Sequence, residues 1–217
     1  MASTELDPGF EEKILEEAIR SPSIAMMRLS IEIDRQLRLI LAVIGRLKDY
    51  TGLSPNEALD LMETCMEGSL IPSELRDTVK NFWELRNYVV HSGGSQVGYA
   101  MRAVDYGNRI LRMLQTIPRP SFIVFASVYV FSDPTCTVLR PDVKGVILES
   151  FGYRGESHGK HIHPSRKDYV QGQSVSWEWS MAGPGWGETW YRNPSTGEST
   201  HAWTSSLEFI GRPLELI

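Results

Sequence analysis

The 217-residue chain is 41% hydrophobic and 23% charged with a formal net charge of −5, an ordinary folded composition that excludes disorder, collagen and coiled coil as whole-chain readings. Its 2 cysteines, Cys65 and Cys136, are too few for a disulfide framework, its longest mostly apolar stretch (37–44) is too short to span a bilayer, and its acidic N-terminus lacks a secretory pattern, so the sequence predicts a cytoplasmic protein with no membrane contact. Residues 1–117 hold 13 Lys and Arg against 17 Asp and Glu, and residues 118–217 hold 9 against 10, so neither half offers the broad basic surface that tracks a phosphate backbone and any nucleic-acid contact must be local.

The first half has helical periodicity. Asp7-Pro8 caps a first helix carrying Phe10, Ile14, Leu15 and Ile19 at helical spacing. After Ser21-Pro22-Ser23 a long helix places Ile33, Leu37, Ile40, Leu41, Ile44 and Leu47 on one stripe and closes near Gly52. Ser54-Pro55 starts a short helix ending near Gly68. Pro72-Ser73 opens a fourth helix, with Leu75, Val79, Phe82 and Val90 inward, that ends at Ser92-Gly93-Gly94. A fifth runs from about Tyr99 to Leu114. Five amphipathic helices predict a bundle over residues 1–117.

Pro118-Arg119-Pro120 breaks that period, and 118–121 reads as a linker. Residues 122–131, 143–148, 175–179 and 189–192 are apolar or β-branched and separated by Gly, Pro and Ser, which predicts a small all-β domain over 122–217. The fold class is therefore α+β.

Chemistry concentrates at the end of the fourth helix, in Leu85-Arg86-Asn87-Tyr88-Val89-Val90-His91. Asn87 and His91, four apart, share a helix face, while Arg86 falls on the apolar stripe, where its permanent charge needs a partner. Glu32 and Asp34 on the second helix are the carboxylates best placed to provide one. His91 is suited to take a proton from a ribose 2′-hydroxyl or give one to the 5′-oxygen, Arg86 to hold phosphorane charge, and Asn87 to orient either group. The scheme needs no metal and no cofactor.

Residues 24–114 resemble a HEPN domain, on Glu-Leu-Arg-Asn-Tyr-Val-Val-His at 84–91 and Glu-Ile-Asp-Arg-Gln-Leu-Arg at 32–38. The resemblance implies a homodimer through the helical domain, with two motif helices meeting at a two-fold axis. It implies RNA as substrate, cleaved without metal to a 2′,3′-cyclic phosphate and a 5′-hydroxyl, in a prokaryotic toxin or defence effector that an antitoxin or regulatory protein restrains. It makes Arg86, Asn87 and His91 the catalytic set, with Glu32 or Asp34 supporting Arg86. The alternative is a non-catalytic HEPN-like dimerisation or ligand-sensing module whose β domain binds a protein or nucleic-acid partner.

In the β half, Ser157-His-Gly-Lys-His-Ile-His163 lies among Gly152, Gly155, Gly159 and Pro164 and reads as an exposed polar loop; on a strand, His161 and His163 would share a face. Arg154, Lys160, His161, His163, Arg166 and Lys167 make it the local basic patch, able to touch RNA phosphates. Five tryptophans follow, for which core packing is the better reading. Residues 191–199 resemble a WW-domain hairpin, with Trp177 as first tryptophan, but His201 stands where the ligand-binding tryptophan belongs.

Overall fold

A computed structural model describes residues 9–50, 52–66, 70–91, 97–181, 186–203 and 207–217. Among them are five α-helices followed by an antiparallel sheet, an α+β layout. The chain divides into two compact units, one of residues 3–41 with 48–118, the other of residues 119–217 with the segment 42–47. None of the described helices is long and apolar enough to cross a membrane.

In the helical unit, α1 (Phe10–Arg20) and α2 (Pro22–Val43) are separated by Ser21, with Pro22 in the first position of the second helix, where its missing N–H costs nothing. Asp7-Pro8, expected as the first cap, lies outside the described residues. α2 stops at Val43, short of the expected Leu47, because Gly45 turns left-handed (φ +78°) and residues 47–50 form a separate 3₁₀ turn. α3 (Pro55–Cys65) opens on the Ser54 capping box: Ser54 Oγ accepts from the Glu57 N–H, and the Glu57 carboxylate accepts from the Ser54 N–H.

α4 (Leu75–His91) and α5 (Val97–Thr116) form an antiparallel pair, joined by a Glu74–Arg109 ion pair at one end and by Tyr88 meeting Tyr99 at the other. Between these ends Gly107 admits Leu29 and Phe82, whose atoms would lie 3.0 and 3.2 Å from an added Cβ, so a bare backbone lets the three helices close. The core stripe of α2 (Ile33, Leu37, Ile40, Leu41) and the inward Leu75, Val79 and Phe82 of α4 are all buried, but the last turn of α4 buries Val89 and leaves the expected Val90 half-buried. Gly68 and the Ser92-Gly93-Gly94 stop lie outside the described residues.

The β unit is a five-stranded antiparallel sheet in the order β3-β2-β1-β5-β6, with strands β1 (Ser121–Phe131), β2 (Leu139–Phe151), β3 (Ser157–Ser165), β5 (Trp190–Arg192) and β6 (Ser199–His201). A separate ribbon pairs β4 (Trp179–Met181) with β7 (Leu207–Phe209). β1 and β2 are joined through the Asp133 turn, whose carboxylate accepts the N–H groups of Thr135, Thr137 and Val138 and is held well below the usual carboxylate range by these bonds and the Thr135 hydroxyl. Both faces of the sheet carry a core. One cluster is Val124, Val146, Leu148, Tyr169, Val175 and Phe209; the other is Val130, Val143, Ile147, Trp186, Tyr191 and Trp203.

The segment read as a loop at 157–163 is a nine-residue edge strand, β3, paired to β2 from Ser157↔Phe151 to Ser165↔Lys144. Its glycine, histidines and proline hide that state: Pro164 is tolerated because an edge strand leaves one side of the ladder unpaired. Conversely, only Trp179 of the expected 175–179 strand lies in a strand; Val175 makes an isolated bridge to Pro213.

Candidate functional site

The amphipathic pattern of α4 places the box. Leu75, Val79 and Phe82 bury one side, and Arg86 continues their stripe one turn further on, half-buried. Asn87 and His91 are exposed, and His91 is the helix's last residue, where unpaired carbonyls gather partial negative charge. Arg86 Nη1 donates to Asn87 Oδ1 at 3.0 Å. Its Nε is buried without a hydrogen-bond partner among the described residues.

The two acidic residues expected beside Arg86 are engaged elsewhere. Glu32 takes a bidentate contact from Arg35 (2.7 and 2.9 Å) and accepts from Gln36 Nε2 at 2.9 Å. Asp34 accepts the Tyr50 hydroxyl and lies 4.0 Å from Arg38 Nη1. Burial first, and then the Asp34 carboxylate, raise the Tyr50 hydroxyl above the normal phenol range. Neither carboxylate forms an ion pair with Arg86 among the described residues. The i,i+3 partner Arg35 reaches Glu32 first, a local competition that a search across helices overlooks.

The basic residues of the β unit do not form one patch. Alternation along β3 puts His161 and His163 on one face and Lys160 on the other, where its ammonium sits 3.3 Å over the Phe125 ring. His163 is half-buried among Trp177, Trp179 and Phe209, with ring centroids 5.0 to 6.1 Å away. Burial, with His161 nearby, lowers its imidazole to about 4. Arg166 bonds Glu208 at 2.9 Å and stacks over Trp186, and Lys167 donates to the Ile210 carbonyl at 2.6 Å. Arg154 stays exposed in the β2–β3 turn. Among the described residues no group of three or more His, Cys, Asp or Glu side chains is gathered as a metal site.

The tryptophans divide between the two cores. Trp177 and Trp179 pack against the Val124 cluster, whereas Trp186 and Trp203 are buried in the other with Tyr191. Trp177 thus lies in a different cluster from the 190–201 hairpin, where Trp190 meets His201 edge-on at 5.5 Å.

No protein-family profile, curated protein or solved structure matches the chain. The functional reading therefore stands on side-chain chemistry.

That chemistry includes a feature the sequence reading missed. Tyr88, between Asn87 and His91, meets Tyr99 of α5 with ring centroids 4.9 Å apart and planes at 60°. Only the antiparallel register of α4 and α5 brings residues 11 apart in the chain into contact. The one advance signal was a large aromatic off the apolar stripe of α4.

Proposed function

We propose that the chain is a HEPN-type, metal-independent endoribonuclease acting as a homodimer, in the manner of a cytoplasmic toxin or defence effector. The observation that carries the reading is Arg86 tethered at 3.0 Å to Asn87, without a carboxylate partner among the described residues, with an exposed His91 one turn on from Asn87. A structural arginine on a buried stripe is ordinarily neutralised; this one keeps its charge for an external anion.

In the reaction, His91 takes the proton of a ribose 2′-hydroxyl as that oxygen attacks phosphorus, or returns a proton to the departing 5′-oxygen. The bond to the 5′-oxygen breaks, leaving a 2′,3′-cyclic phosphate and a 5′-hydroxyl. Arg86 bonds the charge on the equatorial oxygens, and Asn87, bonded to Arg86, positions it. Two such boxes across a two-fold axis make the cleft, and the β domain, or an antitoxin or regulatory protein, selects substrate or restrains cleavage.

One observation favours the alternative of a non-catalytic dimerisation or ligand-sensing module: in the groove that begins at Glu84, two carboxylates, Glu84 and Asp105, stand against one cation, Arg102, a balance that disfavours phosphate. Incubating a mixed RNA pool with the protein in EDTA decides between them. Wild type is expected to leave cyclic-phosphate ends while His91→Ala and Arg86→Ala lose at least about 100-fold in rate. Intact RNA with folded wild-type dimers would instead favour the module.

A further inference from the structure

The Arg86-Asn87-His91 box accounts for a phosphate and leaves the bases of a bound strand without a seat. Tyr88 and Tyr99 are 45% and 44% exposed, although each is a large aromatic side chain on a helix with an apolar stripe available. Their ring centroids lie 4.9 Å apart with planes at 60°, so the pair presents two adjoining, tilted aromatic faces held from two helices. Tyr88 is three residues from His91 and next to Asn87, so the surface adjoins the box. One turn back from Tyr88 along α4, at Glu84 and Leu85, and one turn on from Tyr99 along α5, at Arg102, begins a groove of about 590 Å³.

The charges in that groove give the arrangement a direction. Glu84 and Asp105 outnumber Arg102 in its lining, which disfavours a phosphate, and the two carboxylates accept hydrogen bonds from the amino and imino N–H groups of a base edge. Asn87 and His91, one turn apart on α4 and on either side of Tyr88 in the chain, suit the sugar-phosphate backbone, and Asn87 is bonded to Arg86.

We propose that Tyr88 and Tyr99 are a stacking platform for an unpaired nucleobase, and that the substrate class is single-stranded RNA with its backbone along Asn87 and His91. A paired base cannot reach such a platform, because both its faces are already stacked in the duplex. The direction of the backbone rests on the ribonuclease reading; base stacking itself does not.

The test reads binding without cleavage. Fluorescently labelled single-stranded RNA 8-mers are titrated with the full-length His91→Ala protein in EDTA, and then with the same protein carrying Tyr88→Ala, Tyr99→Ala or the corresponding Tyr→Phe changes. Each alanine is expected to weaken binding roughly 5- to 150-fold, the range for loss of one base–aromatic stack. Each phenylalanine is expected to stay within about twofold, since the ring and not the hydroxyl does the stacking. Duplex RNA of the same sequence is expected to bind more weakly than the single strand and to ignore the alanine changes. Unchanged binding by the alanine variants, loss in the phenylalanine variants, or absence of RNA binding by the parent each overturns the platform, as does a Tyr88→Ala protein that becomes monomeric while binding RNA normally. A wild type that binds through the tyrosines yet cleaves nothing refutes the ribonuclease reading and leaves the platform standing.

Discussion

A guanidinium on the core side of a helix has to be met by hydrogen-bond acceptors, and among the described residues Arg86 meets one side-chain amide and no carboxylate. The Asn87 bond fixes the fork of the guanidinium while leaving its charge uncompensated, the combination an anion-binding group requires. Asn87→Ala is therefore expected to lower single-turnover cleavage about tenfold, the worth of one hydrogen bond to a charged group. Because Asn87 is exposed, the melting temperature should stay within about 3 °C of wild type. A quenched-flow or gel time course beside a thermal melt checks both halves. An equal loss in Asn87→Ala and Arg86→Ala would show the tether to be as necessary as the cation. Elsewhere at this scale, Gly211 is sterically fixed: an added Cβ would lie 2.3 Å from the Ser176 carbonyl oxygen.

The elements divide into those whose periodicity is visible and those that packing imposes. The helices were legible because each carries an apolar stripe at helical spacing, and α3 because Ser54-Pro55-x-Glu57 is a complete capping box. Arg86 on the inward stripe and Asn87 and His91 beside it could be placed for the same reason. Strand β3 was not legible, since His-Gly-Lys-His-Ile-His-Pro has neither β-branched enrichment nor clean alternation; pairing with β2 makes it a strand. The partners of Glu32, Asp34, Arg166 and Lys167 were equally hidden, because a charged side chain takes the nearest counter-group that the tertiary fold supplies. Strand β3 carries its own pH signature. His163 titrates near 4 in the folded protein against an ordinary value near 6.5, so its neutral form is favoured by folding. As pH falls, the unfolded chain takes up the proton first. Stability contributed by His163 is thus complete above about 6.5, is lost between about 6.5 and 4, and is flat below, reaching about 3 kcal/mol. Unfolding free energies from urea titrations across that window for wild type and His163→Phe should diverge by this amount, with the phenylalanine variant the flatter.

At the scale of the whole molecule, the composition change near residue 118 is real, but the two compact units do not follow it alone: residues 42–47 group with residues 119–217. The Trp177 N–H donates to the Ala42 carbonyl at 2.9 Å, and Gly45 lies against the Trp177 backbone, where an added Cβ would come within 3.0 Å of its carbonyl oxygen. A chain ending at Pro118 takes these partners away. It is expected to melt at least about 5 °C below the helical transition of the full chain, the shift that about 1 kcal/mol produces for a unit of this size. Circular dichroism at 222 nm on both proteins measures it, and equal transitions would show that 42–47 contributes nothing to the helices it interrupts.

That interruption bears on how such a chain can be inherited. Recombination that joins a helical unit to a new β unit at a single breakpoint succeeds when each unit is one uninterrupted stretch of gene. Here a breakpoint at the composition change would carry the Ala42–Leu47 segment with one parent and the surface that receives it with the other. Exchange of the β unit between lineages would then demand a matching change some seventy codons upstream, and the two units are expected to travel as a single heritable piece.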